Sequence, residues 1–235
     1  MNHRFVICAY KESEYLKECI QSLKSQRMKS GIIIVTSTPN VHISSLADKY
    51  DIPLYINEGE GGITQDWNFG LSKVNTRYAT IAHQDDVYDK DYSEKIIEIM
   101  EKAKHPLIAF SDYYELRNGH KEVDTKMLNI KRKMLSPLRN GHHASSKFIR
   151  RRILSLGDPI SCPAVTFCLD NLERPIFENH FRSCEDWEAW EKISRLDGEF
   201  LYVAEPLMGH RIHEESETTK IINDGARVDE NYEMY

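Results

Sequence analysis

Tyr78-Ala79-Thr80-Ile81-Ala82-His83-Gln84-Asp85-Asp86 is the stretch that decides the architecture. A short run of apolar and β-branched residues ends abruptly in four polar ones. That pattern reads as a strand buried along its length, opening into solvent at its carboxyl end, where parallel α/β sheets bind ligands. The same pattern recurs upstream. Phe5 to Ala9 is apolar and runs into Tyr10-Lys11-Glu12, and Ile32 to Val35, preceded by Gly31, runs into Thr36-Ser37-Thr38. Pro53 to Ile56 is a further short strand. Between these runs Tyr15, Leu16, Cys19, Ile20 and Leu23 recur at helical spacing behind Ser13, read as an N-cap. Val41 to Tyr50 is a second helix, and Gly59, Gly61 and Gly62 break the chain before a third, roughly Thr64 to Lys73. The βαβαβαβ order predicts an α/β fold with a mostly parallel central sheet and helices on both faces.

Downstream the periodicity weakens. Pro106 to Phe110 reads as a strand and Asn118-Gly119 as a hairpin turn. Residues 120 to 152 are basic, and Lys131-Arg132-Lys133 and Arg150-Arg151-Arg152 read as solvated faces. Pro163 to Leu169 is a short strand, Cys184 to Leu196 a helix with Trp187 and Trp190 inward, and Phe200 to Ala204 the last strand. No repeat, low-complexity segment or linker divides the chain, so one domain over 1–235 is expected.

Composition narrows the function classes. Of 235 residues, 40% are hydrophobic and 29% charged, which is globular rather than disordered. Thirty-one Lys and Arg against 37 Asp and Glu leave a net charge of −6, with no global field that draws in nucleic acid. The longest apolar run is far short of the roughly 20 residues that span a bilayer. Five cysteines without CxxC spacing predict reduced thiols and a cytoplasmic protein.

Three polar clusters carry the candidate chemistry. Asp85 and Asp86 are adjacent hard oxygen donors suited to Mg²⁺ or Mn²⁺; equally, an Asp there can cap a helix that starts near Lys90. Ser183-Cys184-Glu185-Asp186-Trp187 opens a helix: Ser183 with Asp186 resembles a capping box, and alternatively one carboxylate is a general base held by the tryptophans. Arg211 and His213 share one side of an extended chain and could together face a pyrophosphate and its metal. His142-His143 carries no assignment.

Taken together, these clusters resemble the family 2 glycosyltransferases, which implies a single-domain, Rossmann-like three-layer sandwich of the glycosyltransferase A type. Phe5 to Glu12 is similar to the family's first strand and nucleotide-contacting loop, and Gly62-Ile63-Thr64 with Asp66-Trp67-Asn68-Phe69-Gly70-Leu71 to the helix before the metal motif. His83-Gln84-Asp85-Asp86 stands at the DxD-type motif, Cys184-Glu185-Asp186-Trp187 at the ED motif, and Arg211-Ile212-His213 at the late RxH segment. The resemblance implies a nucleotide-sugar half over 1–112, an acceptor half over 113–220 and a tail over 221–235. It implies Asp186 as catalytic base with Glu185 orienting it, and metal ligands Asp85, Asp86 and His213. Donor contacts fall to Ala9, Tyr10, Glu12, Thr36, Ser37, Asn68, His83, Gln84 and Arg211. Two departures stand out. His83 replaces the first Asp of DxD, which favours Mn²⁺ over Mg²⁺, and Thr36-Ser37-Thr38 lies where many members place an Asp.

The implied reaction is metal-dependent transfer of a sugar, with inversion, from a nucleoside-diphosphate sugar (UDP-sugar favoured) to an acceptor hydroxyl, in cell-surface polysaccharide synthesis. The acceptor is a glycan or lipid-linked glycan met by Tyr113, Tyr114 and the basic stretch, with peripheral contact at the inner membrane face. Two alternatives remain: a non-catalytic nucleotide-binding subunit, and a nucleotidyltransferase, which usually carries a Gly-rich loop that Ala9 to Ser13 lacks.

Overall fold

The computed structural model describes residues 2–213 and Glu230. In chain order the elements are β1 (His3–Cys8), α1 (Leu16–Lys24), β2 (Gly31–Thr36), α2 (Val41–Lys49), β3 (Leu54–Ile56), α3 (Ile63–Ser72), β4 (Tyr78–His83), β5 (Val87–Tyr88) and α4 (Tyr92–Lys102). The second half adds β6 (Pro106–Arg117), β7 (His120–Glu122), α5 (Lys126–Leu135), α6 (Lys147–Leu154), β8 (Val165–Cys168), α7 (Glu185–Ser194) and β9 (Glu199–Ile212).

The strands form one sheet in the order β3-β2-β1-β4-β8-β6-β9-β5, with β7 on β6. The first four are parallel neighbours, as the βαβ alternation predicts, and β6 and β9 pair parallel as well. β8 runs antiparallel between β4 and β6, and β5 and β7 are antiparallel to β9 and β6. After α5 and α6 the chain enters β8 through a loop and a 3₁₀ turn at Cys162–Ala164.

Period-two alternation divides the core between the two faces of the sheet. Val6, Ile33, Val35 and Ile81 meet Trp67, Trp187 and Trp190, whereas Phe5, Ile7, Ile34 and Ala82 meet Leu16, Ile20 and Ile96. Gly70 shows how closely α3 lies on the sheet: a Cβ there would stand 2.4 Å from Val6 Cγ1, so no other residue fits without moving the helix.

β6 and β9 run well beyond the apolar cores at Pro106 to Phe110 and Phe200 to Ala204, pairing from Pro106/Glu199 to Arg117/Ile212. Their outer halves carry Ser111, Asp112, Glu115, Glu205 and Arg211. The ladder therefore continues where the hydrophobic pattern stops. The register breaks around Asp112, as bulges do. The hairpin turn at Asn118-Gly119 has both residues at positive φ, 49° and 78°, joining β6 to β7.

The basic runs are only partly solvated. Arg150 is fully buried and donates to the carbonyls of Leu196 and Gly198, each at 2.7 Å. Arg132 turns inward onto Asp112 at 2.6 Å, and Lys131 is half-buried over the Tyr113 ring. Charged residues at inward positions are what blurred the periodicity of α5 and α6, whose N-caps are Thr125 and Ser146. Ser13 does not cap α1; the N-cap is Tyr15, whose N–H donates to the Ser13 hydroxyl at 3.3 Å. None of the five cysteines is in a disulfide. No helix among the described residues is long and apolar enough to cross a membrane.

Candidate active site

β4 delivers its polar end to the carboxyl edge of the parallel strands. There the ligating atoms of His83, Asp85 and Asp86 lie within 4.8 Å of one another. Two of the polar atoms in this cluster, His83 Nε2 and Asp86 Oδ2, are buried with no hydrogen-bond partner among the described residues. Buried polar atoms normally find one, so the cluster fits a divalent cation. Two carboxylates with an imidazole are a donor set that can hold a divalent cation.

The two carboxylates differ. Asp86 is wholly buried, and its Oδ1 accepts from the Arg211 N–H at 2.9 Å and faces His210 Nδ1 at 3.3 Å. Burial works to lower the His210 pKa, but the charge of Asp86 and this hydrogen bond outweigh it and hold the ring above its usual value. Asp85 is half-buried and faces His213 Nε2 at 2.9 Å. Burial works to raise the Asp85 pKa, yet the hydrogen bond to His213 and nearby His83 and His210 hold it below the ordinary carboxylate value. His213, expected as a ligand beside Asp85 and Asp86, thus touches Asp85, while His83 completes the three-residue cluster.

Neighbouring loops are laced to this edge. The Gln84 amide clasps the Tyr10 backbone in both directions, each bond 3.0 Å long. Lys11 sits at φ 53° with its N–H donating to Thr38 Oγ1, a strained conformation for a residue with a Cβ. Ala9 is buried and its N–H donates to the Val35 carbonyl; Tyr10 and Glu12 are exposed. Thr36 Oγ1 accepts from the Thr38 N–H.

Ser37 donates to Asp66 Oδ2 at 2.7 Å, and Asn57 Nδ2 donates to Asp66 Oδ1 at 2.8 Å. A carboxylate therefore does stand at the tip of β2, supplied by α3 instead of the strand. Asn68, expected on the donor, is spent elsewhere: its Oδ1 accepts from the Ile176 and Phe177 N–H groups and its Nδ2 donates to the Phe177 carbonyl. Trp67 lies stacked on His83, ring centroids 5.5 Å apart.

Arg211, expected on the diphosphate, is instead built into the wall. Its Nε donates to the Asp85 carbonyl at 2.8 Å, a terminal nitrogen pairs with Glu18 at 2.6 Å, and the guanidinium lies over the Tyr15 ring. The charge thereby fixes the backbone of the candidate ligand.

A second acidic group sits at the start of α7. Glu185 is buried, and Asp186 Oδ1 accepts from the Trp187 N–H at 2.9 Å, with Trp187 and Trp190 buried beneath. Asp158, from the loop before β8, joins them. Burial and the adjacent Asp186 push the Asp158 carboxyl well above its normal range, against the pull of Lys131. Burial works to lower the Lys131 pKa, but Tyr113, Asp158 and Asp186 outweigh it and raise it.

One family profile, described as glycosyl transferase family 2, matches residues 5–163. The chain belongs to that family. Among curated proteins, an uncharacterized glycosyltransferase of Haemophilus influenzae is 24% identical over 93% of this chain and 67% of its own length. One from Rickettsia conorii is 26% identical over 93% of this chain, which spans only 35% of that relative. Residues 1–349 of Staphylococcus aureus TarS in complex with UDP-GlcNAc superpose with a TM-score of 0.69 at 15% identity, covering 93% of this chain and 61% of that fragment. A mannosyltransferase from Pyrobaculum calidifontis in complex with GDP-Man and Mn²⁺ gives 0.65 at 13%, covering 92% and 58%. These two likenesses establish the glycosyltransferase A fold.

Within this family 2 domain, the sequence reading missed Asp66, Asp158 and Lys131 as site residues. Asp66 was on the page inside the α3 motif, but nothing local says that Ser37 and Asn57 converge on it. Asp158 and Lys131 come together only through the tertiary fold.

The buried Glu185 yields a pH prediction. Burial, with the charges of Asp186 and Glu230 adding to it, raises its pKa to about 7 from an ordinary 4.5. Between those values the folded chain keeps a proton that the unfolded chain releases, so stability falls as pH rises through this window, by about 3 kcal/mol. Glu185→Gln is expected to unfold several degrees above wild type at pH 8 and close to it at pH 4.5. Identical midpoints at pH 8 would refute the assignment.

Proposed function

We propose that the chain transfers a sugar, with inversion, from a nucleoside-diphosphate sugar to an acceptor hydroxyl, dependent on a divalent cation. The observation that carries this reading is the convergence of His83, Asp85 and Asp86 at the end of β4, with two buried polar atoms that lack a hydrogen-bond partner among the described residues. A cation bound there would supply electrostatic stabilisation for the departing diphosphate. Arg211 and the backbone it holds keep Asp85 in place, the Gln84 clasp on Tyr10 shapes the donor loop, and Asp66 stands ready for the nucleoside at the tip of β2. Asp186 accepts the proton of the attacking hydroxyl, and Glu185 packs beside it. UDP-sugars are the first donor class to try and GDP-sugars the second, given the ligands of TarS and the mannosyltransferase.

The acceptor reading is a glycan, free or lipid-linked. Met127, Ile130 and Phe148 are exposed on α5 and α6 among Lys126, Lys133, Arg151 and Arg152, which supports an acceptor held at an anionic lipid surface. A role in polysaccharide synthesis at the inner membrane face follows from that reading.

Thermal unfolding with UDP, GDP, CDP and dTDP, each with and without Mn²⁺, tests the donor site. A ligand at 100 times its dissociation constant adds about 2.7 kcal/mol, or about 5–10 °C for a domain of this size. One nucleotide is expected to stabilise strongly, and only with metal. If none shifts the midpoint with Mn²⁺ or Mg²⁺, the reading fails.

A further inference from the structure

α7 has no capping side chain of its own: its N-cap is Cys184, with no side-chain hydrogen bond to the helix. Four N–H groups at a helix start need partners. Ser183, which the sequence suggested as the cap, has its hydroxyl committed to Glu230 Oε2 at 2.5 Å. Glu230 comes from far along the chain. Its Oε1 accepts from the Arg182 N–H at 2.9 Å and its Oε2 from the Ser183 N–H at 2.8 Å. The Cys184 N–H adds another bond to the same carboxylate. Three successive amides thus point at one anion, as in the backbone nests that bind anions, at the positive end of the α7 dipole.

The next two residues are Glu185 and Asp186. We infer that Glu230 is a positioning residue: it closes the amide nest 182–184 and so fixes the entry of α7 and the placement of Asp186. This rests on the proposed role of Asp186 as base. The device differs from an ordinary cap because the anion lies 47 residues away in sequence, so the geometry of the base depends on one distant carboxylate. The Glu230 charge also adds to the rise of the Glu185 pKa, which couples the same contact to the protonation of Glu185.

The His83–Asp85–Asp86 cluster lies at the end of β4, with no hydrogen bond to the nest among those described, so the two groups can be probed separately. In Glu230→Ala, hydrogen exchange of the Arg182, Ser183 and Cys184 amides is expected to accelerate at least tenfold. kcat should fall at least tenfold, with donor KM and Mn²⁺-dependent nucleotide binding within twofold of wild type. Added acetate, a carboxylate small enough to enter the emptied nest, should restore part of kcat. Glu230→Gln keeps an acceptor oxygen and should lie between the two. Unchanged exchange, or faster exchange with an unchanged kcat, overturns the inference. A wild-type protein that binds no nucleotide and turns over no donor sinks the functional reading instead, and the exchange result then still decides whether Glu230 holds the loop.

Discussion

Asp186→Asn is expected to lower sugar transfer by about 10²–10⁴-fold, the usual worth of a positioned general base, while nucleotide binding with Mn²⁺ stays at the wild-type level. Asn has nearly the same shape and retains an oxygen for the Trp187 N–H that Asp186 now accepts at 2.9 Å. The helix beneath is anchored by Trp187, which donates to the Leu154 carbonyl at 3.1 Å, and by fully buried Trp190. The substitution therefore removes basicity and little else. Loss of nucleotide binding with intact turnover per bound donor would remove Asp186 from the role of base.

What the sequence made legible follows from what is local. The strand that ends in His83-Gln84-Asp85-Asp86, the parallel β3-β2-β1-β4 set and the inward tryptophans of α7 are all written in consecutive residues whose periodicity is undisturbed. The family resemblance then placed the fold and the enzyme class. The reversal of β8 was not legible, because strand direction depends on how the chain re-enters the sheet and leaves no mark on the strand itself. The outer halves of β6 and β9 were missed because Asp112, Glu115 and Arg211 look like loop residues until their partners are known. At the site, residue types were easier to find than their duties. Arg211 and Asn68 have the chemistry to bind a donor, but both are engaged by protein: one by Glu18 and the Asp85 carbonyl, the other by the backbone of residues 176 and 177. Conversely Asp66 replaces the carboxylate that β2 lacks, across 29 residues of sequence that give no hint of the meeting.

Asp85→Asn is expected to abolish the metal-dependent part of nucleotide binding and to leave the fold intact. Loss of one charged ligand should weaken Mn²⁺ binding by on the order of 100-fold or more, since even changes in the residues behind a ligand cost 10–100-fold. The neighbour Asp86 makes the contrast that gives the experiment its meaning. Asp85 is half-buried with its carboxylate against His213, and the Arg211 bond goes to its backbone carbonyl, which the substitution keeps. Asp86 is wholly buried and ties β4 to β9 through the Arg211 N–H and His210. Asp86→Ala should therefore lower stability itself, by about 3 kcal/mol for the hydrogen bonds to a buried charge, before any cation is added. Titration of Mn²⁺ with the preferred nucleotide, beside thermal unfolding of the free proteins, separates the two. Asp85→Asn should keep its midpoint and lose the cation; Asp86→Ala should lose its midpoint. Wild-type affinity for Mn²⁺ in Asp85→Asn would show that the cluster at the end of β4 is not a metal site, and the pairing of Asp85 with His213 would then be a structural contact between the end of β4 and β9.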